Sequence, residues 1–219
     1  MLERHIQYTH VERPDPAETA AGARVRLAAK FPRTALRRMT HLGLLTGAAL
    51  DGVAVGADDA VVYATTFAET RALEDFLASF PAASPLLFQS SIHPSAVQQV
   101  LIGRQQPVQR FWPVTGRRRL VESALLAALM EPAPRVVLTG GEERGSWLAE
   151  RDIAANQTFA FGIVLTTDPA GARGKIRFQP GEMAPDEPCP TLPAFAEAVA
   201  LRGPLRWHGA GGEWSLEWT

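Results

Sequence analysis

Residues 117–141 read RRRLVESALLAALMEPAPRVVLTGG, and this stretch decides the fold class. Leucines and alanines recur at helical spacing from Arg117 to Met130 and leave almost no polar face, so a helix is predicted there. A helix that is apolar nearly all round after its first turn is expected to be buried between layers. After two prolines, Arg135–Leu138 predicts a core strand, which Thr139–Gly141 closes.

Helical and strand-like patterns alternate along the rest of the chain. Runs rich in β-branched and aromatic residues predict strands at 60–65, 108–114, 158–166, 176–178 and 214–218, and a weakly alternating run predicts an edge strand at 6–11. Helical periodicity predicts helices at 33–50, 69–80, 94–103 and 192–201, whereas an extended loop is expected at 84–91 and a mobile surface loop at 181–193. Strands separated by helices indicate an α/β fold with partly parallel pairing. We expect a single domain over residues 1–219.

Composition excludes several classes of protein. The chain has 219 residues, a formal net charge of -1 and one cysteine. Such a charge balance does not favour a nucleic-acid partner, and one cysteine allows neither an intrachain disulfide nor a multi-cysteine zinc site. No apolar run of 18 residues and no apolar signal core are present, so we expect a soluble, cytoplasmic protein without a membrane span.

Few residues suggest chemistry directly. There is no Gly-x-Gly-x-x-Gly or phosphate-loop pattern, and the five histidines are scattered, so no metal site is expected. His93 precedes Pro94 at a predicted helix start, where capping is favoured over catalysis. Cys189 lies between two prolines next to Asp186 and Glu187, which predicts an inert thiol because acidic neighbours oppose thiolate formation.

Two basic clusters and three tryptophans remain. Arg117, Arg118 and Arg119 stand at a helix N-terminus, where positive charge opposes the macrodipole. An anion or an acidic partner could compensate, and a solvated basic turn is an equally good interpretation. For a second cluster, Arg33, Arg37 and Arg38, a solvated helix face is favoured. Tryptophans at 207, 214 and 218 predict a small C-terminal core.

Several segments, in this order and spacing, bring a known family into view. They are RRMTHLG at 37–43, SPLLFQSSIHP at 84–94, LIG at 101–103 and the strand up to Trp112, the helix described above, RVVLTGGEE at 135–143 and FAFGIVL at 159–165. Together they resemble the β-ketoacyl-synthase-like N-terminal domain of short chain-length-factor-type proteins, over most of the chain from Arg33 onward. The resemblance implies a thiolase-like α/β fold, the N-terminal half of the ketosynthase fold: a mixed sheet with a buried central helix and helices on its faces.

The resemblance also implies what the chain lacks. Active ketosynthases carry a cysteine on the turn that enters this helix, and Thr115 falls near that position by spacing. The family's catalytic histidine pair belongs to the C-terminal half, which would follow residue 219. The resemblance therefore implies a non-catalytic subunit that forms a heterodimer with a catalytic ketosynthase and shapes the acyl tunnel in fatty-acid, polyketide or aryl-polyene-type biosynthesis.

Partners and surfaces follow from the same resemblance. An acyl carrier protein is expected to contact Arg117, Arg118 and Arg119, with phosphopantetheine present only on that carrier and no cofactor of the chain's own. An apolar surface is expected near 94–104 and 108–112, and His93 and Trp112 could line a cleft. Two alternatives remain: a small acyltransferase or thioesterase acting through Thr115, His93 or Cys189, and a stand-alone carrier-protein or acyl-chain binding module.

Overall fold

A computed structural model describes residues 1–181 and 188–219. The strands are β1 (Leu2–Glu12), β2 (Ala60–Thr65), β3 (Arg110–Thr115), β4 (Arg135–Glu142), β5 (Phe159–Thr166), β6 (Gly174–Pro180), β7 (Leu205–Gly209) and β8 (Gly212–Trp218). The α-helices are α1 (Ala20–Arg26), α2 (Arg33–Leu36), α3 (His41–Ala49), α4 (Thr70–Ala78), α5 (Pro85–Ser91), α6 (Ser95–Gly103), α7 (Leu120–Met130) and α8 (Leu192–Leu201).

The strands form one mixed sheet in the order β3-β2-β4-β5-β1-β6-β8-β7. Strand β2 pairs in parallel with β3 and β4, and the remaining pairs are antiparallel. The strand predicted at 6–11 is longer and lies inside the sheet rather than at its edge, because β1 pairs with β5 over His5–Glu12 and with β6 over Leu2–Ile6. Beyond Ile6 the predicted stretch pairs with β5 alone, so that part of β1 has one unpaired side. Near the start of β1, Arg4 is buried and donates to the carbonyl oxygens of Ala133 and Pro134.

Helices cover both faces of the sheet. Helices α7 and α8 pack on one face, where Leu125 and Phe195 join a large apolar core. Helices α3 and α6 pack on the other face, and α1 lies outside α3. Every residue of α3 from Leu42 to Ala49 is buried, because the helix lies between the sheet and its neighbouring helices.

The structure changes the prediction for α7. The helix begins at Leu120 rather than Arg117, since Arg119 has a left-handed backbone with φ 54°. Its sheet-facing side is buried, but Leu126 is 36% exposed and Met130 is 65% exposed. The helix enclosed on all sides is therefore α3.

Two further segments differ from expectation because of capping. Residues 33–50 form two helices, since Thr40 accepts a hydrogen bond from Gly43 N and starts α3 anew. Residues 84–91 are not an extended loop: Ser84 caps α5 by accepting from Leu87 N, and Pro85 occupies its first turn. The other predicted helices and strands are present with boundaries shifted by a few residues, and β7 and α1 are additional.

The predicted strand at 214–218 is present in β8, but the tryptophans do not form a small C-terminal core of their own. Trp207 and Trp214 stack with ring centroids 5.7 Å apart, and Trp218 Nε1 donates to Gly203 O at 3.0 Å. These rings join the core under α7 and α8 rather than forming a separate one. Of the loop predicted at 181–193, residues 182–187 lie outside the described residues, and Leu192 already begins α8. In the described ranges, no helix combines the length and the apolar character needed to cross a bilayer.

The packing of α3 gives a test of stability. A Cβ atom on Gly47 would lie 2.4 Å from the Phe31 ring, so Gly47→Ala should lower the free energy of unfolding by about 1–3 kcal/mol through overpacking. The matched control is Gly22→Ala on exposed α1, where the nearest atom is 3.5 Å away, and it should gain up to about 1 kcal/mol in helix propensity. Urea denaturation measures both, and equal stabilities of the two variants would contradict the close contact.

Candidate functional site

The parallel strands β2, β3 and β4 end at one edge of the sheet, at Thr65, Thr115 and Glu142. In sheets of this kind, ligands bind outside the carboxyl ends of the strands. We therefore call this edge, with the loops that follow the three strands, the candidate site.

Glu142 organises the loop that follows β2. Its buried carboxylate accepts hydrogen bonds from the backbone N–H groups of Thr66 and Phe67 and from Thr65 Oγ1. Burial raises the pKa of Glu142, and these donors partly oppose that shift. These bonds connect the loop to the end of β4, and the loop places the Phe67 ring under Arg117 at the site.

Glu143 and Glu69 connect the same edge to three helices. Glu143 accepts from Leu42 N at 3.0 Å and from Arg71 N at 3.2 Å, in the first turns of α3 and α4. Glu69 accepts from Ala96 N at 2.6 Å, in the first turn of α6. Burial raises the pKa of Glu143 to about 7 and that of Glu69 to about 8. Sequence reasoning missed these glutamates as a group, although acidic residues directly after parallel strands were a usable signal.

Thr115 lies where the sequence places it, at the end of β3, with Gly116 to Arg119 leading into α7. Its side chain is exposed, and no described residue makes a hydrogen bond with its hydroxyl. A hydroxyl without a paired base is a weak nucleophile near neutral pH.

His93 does not cap α6, contrary to expectation, because Glu69 holds that helix start. Its ring stacks on Tyr63 with centroids 5.3 Å apart, and neither ring nitrogen has a hydrogen-bond partner among the described residues. Burial lowers the pKa of His93 to about 4, so the ring is neutral at pH 7.

His93 and Trp112 do not share a cleft. Tyr63, beneath His93, belongs to the core on the α3 and α6 side of the sheet. Trp112 pairs in register with Val62, which faces the opposite core, and its Nε1 donates to Glu131 Oε2 at 2.7 Å. Successive strand residues point to opposite faces, which separates the two side chains.

The three arginines before α7 have different environments. The Arg117 guanidinium lies over the Phe67 ring at 5.0 Å and donates to Asp152 O. Arg119 pairs with Glu122 at 3.1 Å. Arg118 is exposed, and we find no ion pair for it in the part of the chain that the structure describes.

The remaining candidates do not supply a reactive centre. Cys189 is half-buried, and burial raises the pKa of its thiol to about 11, which keeps it protonated at neutral pH. Within residues 1–181 and 188–219, no group of three histidine, cysteine or acidic side chains is placed to hold a metal ion.

An apolar surface lies beside the site. Strand β3 is at the edge of the sheet, so one side of its backbone has no neighbouring strand. Trp112 is 50% exposed, and Leu126 and Met130 are exposed on adjacent α7. We call these three side chains with the free edge of β3 the β3–α7 surface. Of the other segment expected to be apolar, Ile102 is exposed, whereas Val97 and Val100 are buried.

Comparison with known proteins gives structural similarity only. No protein-family profile and no curated protein sequence matches the chain. A chain from the complex of the ketosynthase ApeO with its chain length factor ApeC, from Xenorhabdus doucetiae, aligns with a TM-score of 0.68 at 15% identity, covering 99% of this chain and 100% of that one.

Two other solved structures share the architecture. The ishigamide ketosynthase/chain length factor aligns with a TM-score of 0.58 at 14% identity, over 82% of this chain and 68% of that one. A β-ketoacyl synthase from Burkholderia phymatum aligns with a TM-score of 0.53 at 13% identity, over 93% and 70%. The chain therefore has the thiolase-like α/β fold of ketosynthases, as the sequence predicted.

The buried carboxylates predict a pH effect on stability. The pKa of Glu69 rises from its ordinary 4.5 to about 8 on folding, so the folded state holds the proton more tightly than the unfolded state does. The stabilisation that this proton gives is lost as pH rises through this window, so the free energy of unfolding falls. Because Glu69→Gln keeps a neutral acceptor for Ala96 N, the variant should gain about 4 kcal/mol relative to wild type between pH 5 and pH 8.5.

Urea denaturation at several pH values measures this difference. Glu197→Gln on the exposed side of α8 is the control for removing one carboxylate. His93 also makes stability depend on pH, because its lowered pKa destabilises the fold as pH falls from 6.5 to 4. This effect is the same in every variant, so it cancels from the differences in the free energy of unfolding. A pH-independent difference between Glu69→Gln and wild type would contradict a neutral Glu69.

Proposed function

We propose that this chain is a non-catalytic subunit of the chain-length-factor type, which pairs with a catalytic β-ketoacyl synthase and helps to enclose the growing acyl chain. The observation that carries the proposal is the occupant of the nucleophile position. By the resemblance, Thr115 falls near that position, where it has no hydrogen-bonded base among the described residues, and the chain's one cysteine is protonated and far along the sequence. Condensation chemistry would then belong to the partner.

The full-length structural match supports this choice. The chain from the ApeO–ApeC complex is matched over 100% of its length by 99% of the present chain, so the two are of nearly equal size. That complex pairs a ketosynthase with its chain length factor. A subunit of this size in such an assembly agrees with a supporting role for our chain.

The β3–α7 surface is the proposed contact with the ketosynthase. An unpaired edge strand is a ready template for pairing with another chain. The exposed apolar side chains beside it, Trp112, Leu126 and Met130, would be removed from water in such a complex. An assembly of the heterodimer type would therefore extend the sheet and cover α7.

Charged substitutions on α7 test this contact. Leu126→Glu and Met130→Lys place charges on the surface while suiting the helix, because glutamate is a good helix former and a cation near a helix C-terminus is favourable. Each should weaken the complex with a co-expressed ketosynthase from the same gene cluster at least tenfold, by about 1.4 kcal/mol or more.

Size-exclusion chromatography and titration calorimetry measure complex formation. Val25→Asp, a substitution of an exposed apolar residue on α1, is the control, and Thr115→Ala should also leave binding unchanged. Absence of a complex with the wild-type chain would overturn the proposed pairing. A complex that is insensitive to both α7 variants would place the contact elsewhere.

A carrier protein is the second proposed partner. Exposed Arg118, beside Arg117 and Arg119, supplies positive charge at the candidate site, and acidic carrier surfaces would complement it. The phosphopantetheine arm would arrive on the carrier, so the chain would need no cofactor of its own. The same contact would serve a stand-alone carrier-binding module, but the β3–α7 surface favours a subunit of a larger complex.

Charge reversal tests the carrier contact. Arg118→Glu should weaken binding of the acyl carrier protein several-fold and reduce the dependence of binding on salt, since one favourable charge pair is replaced by a repulsive one. Fluorescence anisotropy with labelled carrier protein at 50 and 300 mM NaCl measures both effects. Arg33→Glu on α2 is the matched control, and an equal loss in the two variants would contradict a contact at Arg118.

A further inference from the structure

A cavity of about 300 Å³ lies beside α3, and Glu143 is one of the residues that line it. It is bounded by α1 and the residues before it, the turn that precedes α3, and helices α4 and α5. Five arginines line it, namely Arg24, Arg37, Arg38, Arg71 and Arg144. We call it the arginine cavity. Two of its arginines, Arg37 and Arg38, belong to the basic cluster for which the sequence favours a solvated helix face.

Few of the described acidic side chains pair with the arginines of the cavity. Arg37, Arg38 and Arg144 are exposed, and their guanidinium groups form no ion pair or hydrogen bond with any described residue. Arg71 has only a long contact of 3.9 Å with Glu74. Positive charge is therefore concentrated at the opening.

The acidic groups around the cavity are mostly engaged elsewhere. Glu18 is bound by Arg26, with Nε and Oε1 2.7 Å apart, and Glu143 accepts two backbone N–H groups. Asp15 accepts from Ala17 N at 2.8 Å. Asp75 is exposed at the rim and offsets one arginine.

Hydrogen bonds from Arg24 fix the position of the turn that carries Arg37 and Arg38. Arg24 donates to Leu36 O at 3.3 Å and to Met39 O at 3.1 Å, on either side of Arg37 and Arg38. These bonds hold the turn before any ligand arrives. A preorganised turn spares a ligand the entropic cost of ordering it.

His41 supplies an unpartnered polar atom in the lining. Its side chain is only 10% exposed, and Nε2 is buried without a hydrogen-bond partner in the described residues. The nearest carboxylates, Glu18 Oε2 and Glu143 Oε1, lie 3.8 and 3.7 Å from its two ring nitrogens, beyond hydrogen-bond distance. In folded proteins such an atom usually has a partner, which can be an ordered water or an ion.

We propose that the arginine cavity binds a small phosphate ester, with the phosphate between the guanidinium groups of Arg37, Arg38 and Arg144 and the organic part against α5. A doubly charged phosphate matches several guanidinium groups better than a singly charged carboxylate does, and arginine binds phosphate through paired N–H groups. Leu86 and Leu87 supply the apolar side of the cavity. Its volume is at the lower end of the range for small-molecule sites.

Titration calorimetry with hexyl phosphate, inorganic phosphate and 1-hexanol tests this site on the full chain. Hexyl phosphate should bind more tightly than inorganic phosphate, and 1-hexanol should not bind measurably. The double variant Arg37→Gln/Arg38→Gln and the single variant Arg144→Gln should each bind hexyl phosphate at least tenfold more weakly. Leu87→Ser should abolish the advantage of hexyl phosphate over inorganic phosphate.

Arg33→Gln is the matched control, because Arg33 is an exposed arginine on neighbouring α2 that does not line the cavity. Its affinity for hexyl phosphate should equal that of wild type, and thermal unfolding should show that every variant is folded. Equal losses in Arg33→Gln and the cavity variants would indicate diffuse attraction and overturn the site. Absence of hexyl phosphate binding by the folded wild-type chain would also overturn it, without bearing on the ketosynthase pairing.

Discussion

Three buried carboxyl groups hold the parallel end of the sheet together. Glu69, Glu142 and Glu143 are each about 1% exposed, and each accepts backbone N–H groups from another segment of the chain. The first N–H groups of a helix have no partner within the helix. Glu143 and Glu69 provide that partner for α3, α4 and α6, so the positions of these helices relative to the sheet depend on them.

This arrangement also determines where anions can bind. Helix N-termini are usual anion sites, but Glu143 and Glu69 already occupy those of α3, α4 and α6. Beside these three helix starts, positive charge available to a ligand must therefore come from side chains. Arg118 at the candidate site and the arginine cavity beside α3 are two places where such charge is exposed.

Sequence patterns predict the elements that a local signal defines and miss those that distant contacts define. The strand at 60–65 and the helix at 192–201 have their predicted bounds, because burial and proline punctuation mark them. The central place of β1 depends on pairing with β5 and β6 in the second half of the chain, which no local pattern contains. At the site, Thr115 lies at the end of β3 ahead of α7, and its place near the nucleophile position stays a prediction. The acceptor for the start of α6 is Glu69 and not adjacent His93, since only the fold brings Glu69 there.

The difference between predicted and observed burial of α7 itself has a physical meaning. Its sequence is that of a helix covered on both sides, yet Leu126 and Met130 are exposed beside the unpaired edge of β3. Helix α3, which has a similarly apolar sequence, is covered because α1 and α6 lie over it. No described element does the same for α7 along this flank. An apolar helix flank and a free strand edge in one place are together what a second chain would bury, and this supports a function that requires assembly with a catalytic partner.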